Sequence, residues 1–279
     1  MGRPIKLMAD RTPSPPITFG RRLSRFEVAG FIITETEHQP GRRLDFHEHA
    51  APNLNFVIGG SHVETFRSRT VHCLPGSIVV KPAGALHANA YGDAGSRSLV
   101  FEFKTAANEV YAGWSPAFRE IRWLPGGVPS AYAWQIRKEG QSQLPGWRIR
   151  VEELLLHICD EVSPLTTRGK ADWPSWVNTV RDFLESNYET ELSLSDVARI
   201  CDVHPVYLTR VFRKRFGCTV AQFLRRKRLD RAIQEITSTS KSMAEIAADC
   251  GFYDQSHLTN LLRQTAHVSP AALRSIASL

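Results

Sequence analysis

The sequence predicts an α+β multidomain chain: an N-terminal β-barrel of jelly-roll type, then an all-α domain holding two helix–turn–helix units. Three observations carry this. Between Phe26 and Phe103 short β-like runs alternate with turn residues, the pattern of an antiparallel barrel or double sheet. From Leu192 to Arg274 apolar residues recur at i, i+3 and i+4, the period of helices. Within that stretch, a shift of 50 residues lays Leu208-Thr-Arg-Val-Phe-Arg213 on Leu258-Thr-Asn-Leu-Leu-Arg263, so one helical unit occurs twice. With 279 residues the chain has room for two domains.

Residues 1–25 hold Pro4, Pro13, Pro15 and Pro16 among scattered charges and read as a mobile arm. Strands are expected at Phe31–Thr34, Leu54–Ile58, Val63–Phe66, Ser77–Val80 and Leu99–Phe103, with Gly59-Gly60 and Pro75-Gly76 as turns. Histidines sharpen the picture. Gly41 precedes His47-Glu48-His49, and Gly76 precedes Pro82-Ala-Gly84 and then His87. Residues two apart on a strand point to one face, so His47 and His49 can share a site. These two clusters resemble the paired motifs of the cupin family. The resemblance implies a cupin-like domain over 26–162, an enclosed small-molecule pocket and, where the set is complete, a metal held by three histidines and a glutamate. His47, His49 and His87 match the histidine positions; Asn53 and Leu54 stand in the region of the glutamate. The three histidines are therefore candidate ligands for a divalent transition metal such as zinc, iron or nickel, although nothing in the sequence requires a cofactor. His47, His49, Asn53, Asn55 and His87 are the candidate lining of an effector pocket.

Between Asn108 and Pro145, Trp114, Trp123 and Trp134 stand among prolines and glycines, and loops with short helices are expected. Gly146 to Val162 reads as one helix with the stripe Val151, Leu154, Leu155 and Ile158. That stripe suits a seam between two subunits and packing on the chain's own barrel equally well. Residues 163–172, with Pro164 and Gly169, are the expected linker. The helical domain then runs over 173–279, opening with Trp176, Val180, Phe183 and Leu184.

In the first unit Leu194, Val197 and Ala198 form one face of a short helix, and a break follows at Cys201-Asp202-Val203. Pro205 opens the next helix, where its missing N–H is not needed. That helix turns Leu208, Val211 and Phe212 inward and Val206, Tyr207, Arg210, Arg213 and Lys214 outward, as a major-groove reader requires. A connecting helix within Thr219–Ile236 points Val220, Phe223, Leu224, Ala232 and Ile233 inward. In the second unit Met243–Ala247 opens a helix, Gly251 makes the turn and Asp254 caps the reader. The candidate DNA contacts are His204, Val206, Tyr207, Arg210, Arg213 and Lys214, then Gln255, Ser256, His257, Asn260 and Arg263. Arg, Asn and Gln suit bidentate base contacts; Lys and Ser suit positioning on phosphates.

Leu194–Ala198, Tyr207–Phe212, Phe216-Gly217, Arg228-Leu229, Ala232, Glu245–Ala247, Gly251-Phe252, Asp254–His257 and Ser269-Pro270 together resemble the AraC/XylS family of bacterial transcription regulators, over about the last hundred residues. The resemblance implies a seven-helix DNA-binding domain that reads two successive major-groove segments on one face of the duplex. It also implies a homodimer joined through the sensor, and RNA polymerase as a partner of an activator. The sequence departs from the family at His204, where Ser or Thr caps the first reader. Asn260, Leu262, Ala266 and His267 replace Arg, Phe, Phe and Gly in the second unit.

The net charge of +7 points to a polyanionic partner. Arg199–Arg231 holds ten Lys/Arg against Asp202 and Asp230, whereas Asp172–Asp196 holds six acids against Arg181; the positive charge is local, as a phosphate-facing surface needs. Five scattered cysteines without a C-x-x-C pair argue for reduced thiols in a cytoplasm. No apolar run approaches bilayer length, so no membrane partner is expected. The expected protein is a cytoplasmic regulator that binds double-stranded DNA under control of a small-molecule effector. Two alternatives stand beside it: a metal-binding cupin enzyme with a helical appendage, and a DNA-binding regulator with a vestigial, ligand-free cupin.

Overall fold

A computed structural model describes residues 19–104, 115–163, 173–190 and 192–278. Most of the expected arm, the expected linker beyond Ser163 and Trp114 lie outside the described residues.

The N-terminal half is one antiparallel sheet. Its strands are β1 (Arg21–Val28), β2 (Phe31–His38), β3 (Arg43–His47), β4 (Asn53–Phe66), β5 (Thr70–Cys73), β6 (Ile78–Lys81), β7 (His87–Phe103) and β8 (Arg122–Leu124). The order is β1-β2-β7-β4-β6-β8, with β3 on β7 and β5 on β4. The ends β1 and β8 do not pair with each other among the described residues, so the expected barrel is an unclosed sheet here. The arm expected to reach residue 25 ends earlier. Arg21–Val28 pairs with Phe31–Glu37 across a tight turn at Ala29-Gly30, the register slipping at Leu23, between Arg22 and Ser24.

Leu54–Ile58 and Val63–Phe66, expected as separate strands, are one 14-residue strand. Gly59-Gly60 bends it without ending it, and β7 bends beside it at Gly95. Gly60 and Gly95 both take φ near the left-handed region, +68° and +69°. A Cβ on Gly60 would fall on the Gly95 carbonyl, and one on Gly95 on the His38 carbonyl.

Alternation divides the sheet. Ile33, Leu54, Phe56, Leu99 and Phe101 face a dry core, and Thr36, His38, Asn53, Asn55 and Ser98 face the other way. Two helices cover the apolar face: α1 (Val128–Ser142) and α2 (Trp147–Val162). Loops with short helices are expected where the 15-residue α1 lies. Val128 through Trp134 and Ile136 are all buried, so this helix has little exposed polar face to give it a periodic signature. On α1, Arg137 donates to Glu35 of β2 at 3.1 Å, both side chains 2% exposed. The stripe on α2 resolves as core: Val151, Leu155 and Ile158 are at most 2% exposed against the chain's own interior, with Leu154 partly buried beside them. It is therefore not a free seam for a second subunit.

Seven helices follow: α3 (Trp176–Ser186), α4 (Leu194–Ile200), α5 (Pro205–Phe216), α6 (Val220–Ser238), α7 (Met243–Asp249), α8 (Gln255–Ala266) and α9 (Pro270–Ala277). Their packing separates two units. Val180, Leu184, Val197, Leu208, Phe212, Val220 and Leu224 belong to a small core of their own. Leu229, Ala232, Ile233, Ile246, Leu258, Leu262 and Leu273 join the same core as the sheet and its two helices. The 19-residue helix α6 lends its first half to one core and its second half to the other.

Polar ties hold α1 and α2 to the second unit. Asp230 Oδ1 accepts from the Val128 N–H at 3.0 Å, so α6 caps the start of α1. Arg226 bridges Glu161 of α2, at 2.7 and 2.8 Å, and Asp230 at 3.1 Å. The Tyr132 hydroxyl donates to the Thr265 carbonyl, and Gln135 donates to the Ala266 carbonyl at 3.1 Å.

Candidate nucleic-acid interface and effector pocket

Each helix–turn–helix unit is built by local capping. In the first, Ser193 Oγ accepts from the Asp196 N–H at 3.1 Å and the Asp196 carboxylate accepts from the Ser193 N–H at 3.1 Å, which fixes the start of α4. In the second, Ser242 and Glu245 make the same reciprocal pair for α7. The readers are capped differently. Asp254 Oδ1 accepts from the His257 N–H at 2.7 Å. His204 Nδ1 accepts from the Val206 N–H at 3.3 Å, so an expected DNA contact is engaged with its own backbone.

On α5, Val206, Tyr207, Arg210, Arg213 and Lys214 are exposed while Leu208 and Phe212 are fully buried. Tyr207 lies between Trp176, at 5.8 Å between rings, and the Arg210 guanidinium, 5.6 Å above its own ring; it braces Arg210. On α8, Gln255, Ser256, His257, Asn260 and Arg263 are exposed, and the His257 ring meets Phe252 edge-on at 5.3 Å. All eleven residues expected at the interface therefore lie on the outer sides of the two readers or at their caps.

The local basic charge is partly spent inside the chain. Besides Arg226, Lys227 pairs with Glu185 at 3.5 Å, Arg228 donates to the Tyr188 and Thr190 carbonyls, and Arg231 pairs with Glu235. No ion pair engages Arg210, Arg213 or Lys214 among the described residues. The outward charge is thus concentrated on α5 rather than spread along α6.

The polar side of the sheet encloses a small cavity of about 50 Å³. His47, His49, Asn53, Asn55 and His87, the expected lining, all border it, joined by Phe19, Thr36, His38, Lys81, Asn89 and Tyr91. Of these, Thr36 and His38, and Asn89 and Tyr91, were within reach of the sequence, because each pair alternates along one strand. His47 and His87 face each other across β3 and β7, with rings 4.4 Å apart. His49 lies 5.3 Å from the His87 ring. The ligand atoms of the three lie within 4.8 Å of one another. His47 Nδ1 donates to the Asp45 carbonyl and His87 Nδ1 to the Ala85 carbonyl, each at 2.7 Å, which leaves both Nε2 lone pairs able to accept.

A carboxylate lies behind His87, outside the group of three histidines. Glu64, fully buried on β4, has Oε1 3.4 Å from His87 Nε2. Lys81 Nζ donates to that Glu64 oxygen at 2.7 Å and to His87 Nε2 at 3.4 Å. Burial would raise the Glu64 pKa, but the Lys81 charge, with help from His62 and His87, outweighs it and holds the carboxyl well below its usual range. Burial, reinforced by Lys81, pushes His87 down to about 3. The ammonium of Lys81 is the cation of this cluster, next to the nitrogen that a metal would need.

Residues 197–276 match the helix–turn–helix domain family. Over 240 residues the chain is 23% identical to the uncharacterized HTH-type transcriptional regulator YijO of Escherichia coli, covering 80% of this chain and 81% of that protein. It is 24% identical over 121 residues to the bifunctional transcriptional activator/DNA repair enzyme AdaA of Bacillus subtilis, covering 43% of this chain and 56% of that protein; the chain thus spans little more than half of AdaA. Among solved structures, an apo form of ToxT from Vibrio cholerae aligns with 89% of this chain and 98% of its own at 11% identity and a TM-score of 0.37. The C-terminal domain is a helix–turn–helix domain of the type found in transcription regulators. More narrowly, it is an AraC-family domain, and the chain's relatives are AraC-type regulators. No helix among the described residues is long and apolar enough to cross a membrane.

Proposed function

We propose that the chain is a sequence-specific, DNA-binding transcription regulator, with α5 and α8 as its readers and the sheet domain as a cupin-like sensor of a small polar effector. The observation that carries this reading is the pair of capped helix–turn–helix units, each exposing the polar side of its second helix. Arg210 and Arg213 are suited to guanine edges, Asn260 and Gln255 to adenine, and Lys214, Ser256 and Arg263 to phosphates or neighbouring edges. His204, Val206, Tyr207 and His257 shape the ends of the readers. The full chain should bind genomic duplex fragments, with affinity falling steeply as salt rises. Arg210→Ala should cost about 1–3 kcal/mol at the preferred site and relax one base position. Salt-insensitive binding, or a uniform loss over all sequences, would count against these assignments.

The same reading makes the chain a cytoplasmic non-enzyme that works as a homodimer and, as an activator, contacts RNA polymerase. With the α2 stripe buried, Ile149 and Leu156 are the apolar side chains left exposed on that helix, at 65% and 46%. They are where a second copy would seat, and light scattering of Ile149→Glu with Leu156→Glu checks it.

The sensor needs no metal in this reading. Three histidine donors converge, but Lys81 beside His87 opposes a divalent cation, and Glu64 is already paired. Protein purified without an affinity metal should therefore carry far less than one metal per chain. An effector that contacts His47, His49, Asn53, Asn55 or Lys81 should raise the melting temperature of the native chain but not of the Asn55→Leu variant.

A further inference from the structure

The proposed reading places Val206 at the end of the α5 reader and gives no role to the apolar hollow beside it. Val206, in the first turn of the reader, is 70% exposed. Leu194, at the start of α4, is 39% exposed beside it. With Pro205 and Thr209 these side chains border an apolar hollow whose other walls are Arg210, Arg213 and Lys214. A single exposed valine needs no explanation. Several apolar groups gathered at the N-terminal end of a reader, within a ring of cations that no acid among the described residues pairs with, do.

The chain carries its own control. Shifted by 50 residues, Leu194, Pro205, Val206 and Arg210 become Ala244, Gln255, Ser256 and Asn260. The second reader thus presents polar groups where the first presents a valine on a proline. The hollow is not a packing requirement of the unit, since α8 folds without it. The chemistry that fits an apolar seat ringed by cations is an apolar group carried on a polyanion. In duplex DNA one such group stands in the major groove, the 5-methyl of thymine.

We propose that the hollow formed by Leu194, Pro205, Val206 and Thr209 seats a thymine methyl, so that the first reader selects thymine by an apolar contact and its neighbours by the arginines. This rests on the DNA-binding reading above. The methyl adds to affinity by burial rather than by a hydrogen bond, so the contact discriminates thymine from uracil, which differs by that methyl alone. The cations Arg210, Arg213 and Lys214 hold the adjoining phosphates and base edges and bring the groove wall against the hollow.

The test uses the full chain and a duplex enriched from a random library by the chain itself. Each thymine of that duplex is replaced singly by uracil. One replacement should weaken binding about fourfold, the factor for losing one buried methyl, and the others should leave it within error. Val206→Ser, which alters an exposed side chain and leaves the core intact, should bind the thymine and uracil duplexes alike. Circular dichroism of that variant checks that the fold is kept. If no replacement weakens binding, or if Val206→Ser discriminates as the native chain does, the seat is refuted while DNA binding stands. An apolar hollow that instead serves a protein partner gives the same negative result. If no duplex is enriched at all, the underlying reading fails and the inference with it.

Discussion

The two helix–turn–helix units share a fold and differ in almost everything that surrounds it. The first closes on its own small core around Phe212 and exposes an arginine-rich reader. The second shares its core with the sheet domain and is tied to it through Glu161, Arg226, Asp230 and Tyr132. A change in the sheet domain therefore reaches the second reader by direct contact, and the first through α6 and through the Gly251 turn, which packs on the Glu189 backbone. The chain holds two similar units, and packing has joined one of them to the sheet domain.

The largest expected effect separates the two cores. Phe212→Ala empties a fully buried site, a loss of about 4 kcal/mol. The small core should not survive it, so α3–α5 should lose hydrogen-exchange protection while α7–α9 and the sheet keep theirs. Leu262→Ala, equally buried, should cost about 3 kcal/mol and lower the melting of sheet and second unit together. One common transition for both variants would break the comparison.

Acid should sharpen it. Burial, with the Arg42 charge and His62, pushes His38 from 6.5 down to about 4. The unfolded chain then binds a proton that the folded chain refuses. The His38 contribution is full above pH 6.5, is lost as the pH drops from 6.5 to 4 and amounts to about 3 kcal/mol; His87, pushed to about 3, adds a loss of the same sign, and Glu102, raised by burial to about 7, opposes both between pH 7 and 4.5. Denaturant midpoints should follow this curve for the sheet and second unit and not for the first. His38→Gln should flatten it by one proton.

Arg226→Met breaks the tie between α2 and the second unit. The cluster is about a third exposed, so the cost should be near 2 kcal/mol, read as faster exchange at the Val128 amide. Caps give the smallest effects. Asp254→Ala should cost about 1 kcal/mol and His204→Ala only a few tenths, because the histidine nitrogen makes one long bond. His204→Ser should stabilise slightly.

What the sequence showed followed the range of the forces involved. The readers were legible because capping and the i, i+3, i+4 pattern act within a few residues: Asp254, Pro205, Leu208 and Phe212 announce themselves. His47 and His49 were legible as a pair because they stand two residues apart; His87 joined them only through the resemblance to the cupin motifs. Lys81 and Glu64 were not, since only the register of β4 with β6 and β7 brings them to His87. The α2 stripe shows the opposite difficulty. Val151, Leu155 and Ile158 have the pattern of any buried helix face, and periodicity does not say whose core will cover it. Helix α1 was hidden because it is buried nearly all round its first half.

The paired bends at Gly60 and Gly95 have a consequence for descent. Backbone meets backbone at these bends, β4 against β7 at Gly60 and β7 against β2 at Gly95, and a side chain at either glycine would drive the strands apart. The cavity walls, by contrast, are side chains that can be exchanged one at a time without disturbing the bend. A chain of this fold can therefore change the lining of its cavity while keeping the same strand bends. The two glycines should persist across lineages whose pockets no longer share a single polar residue.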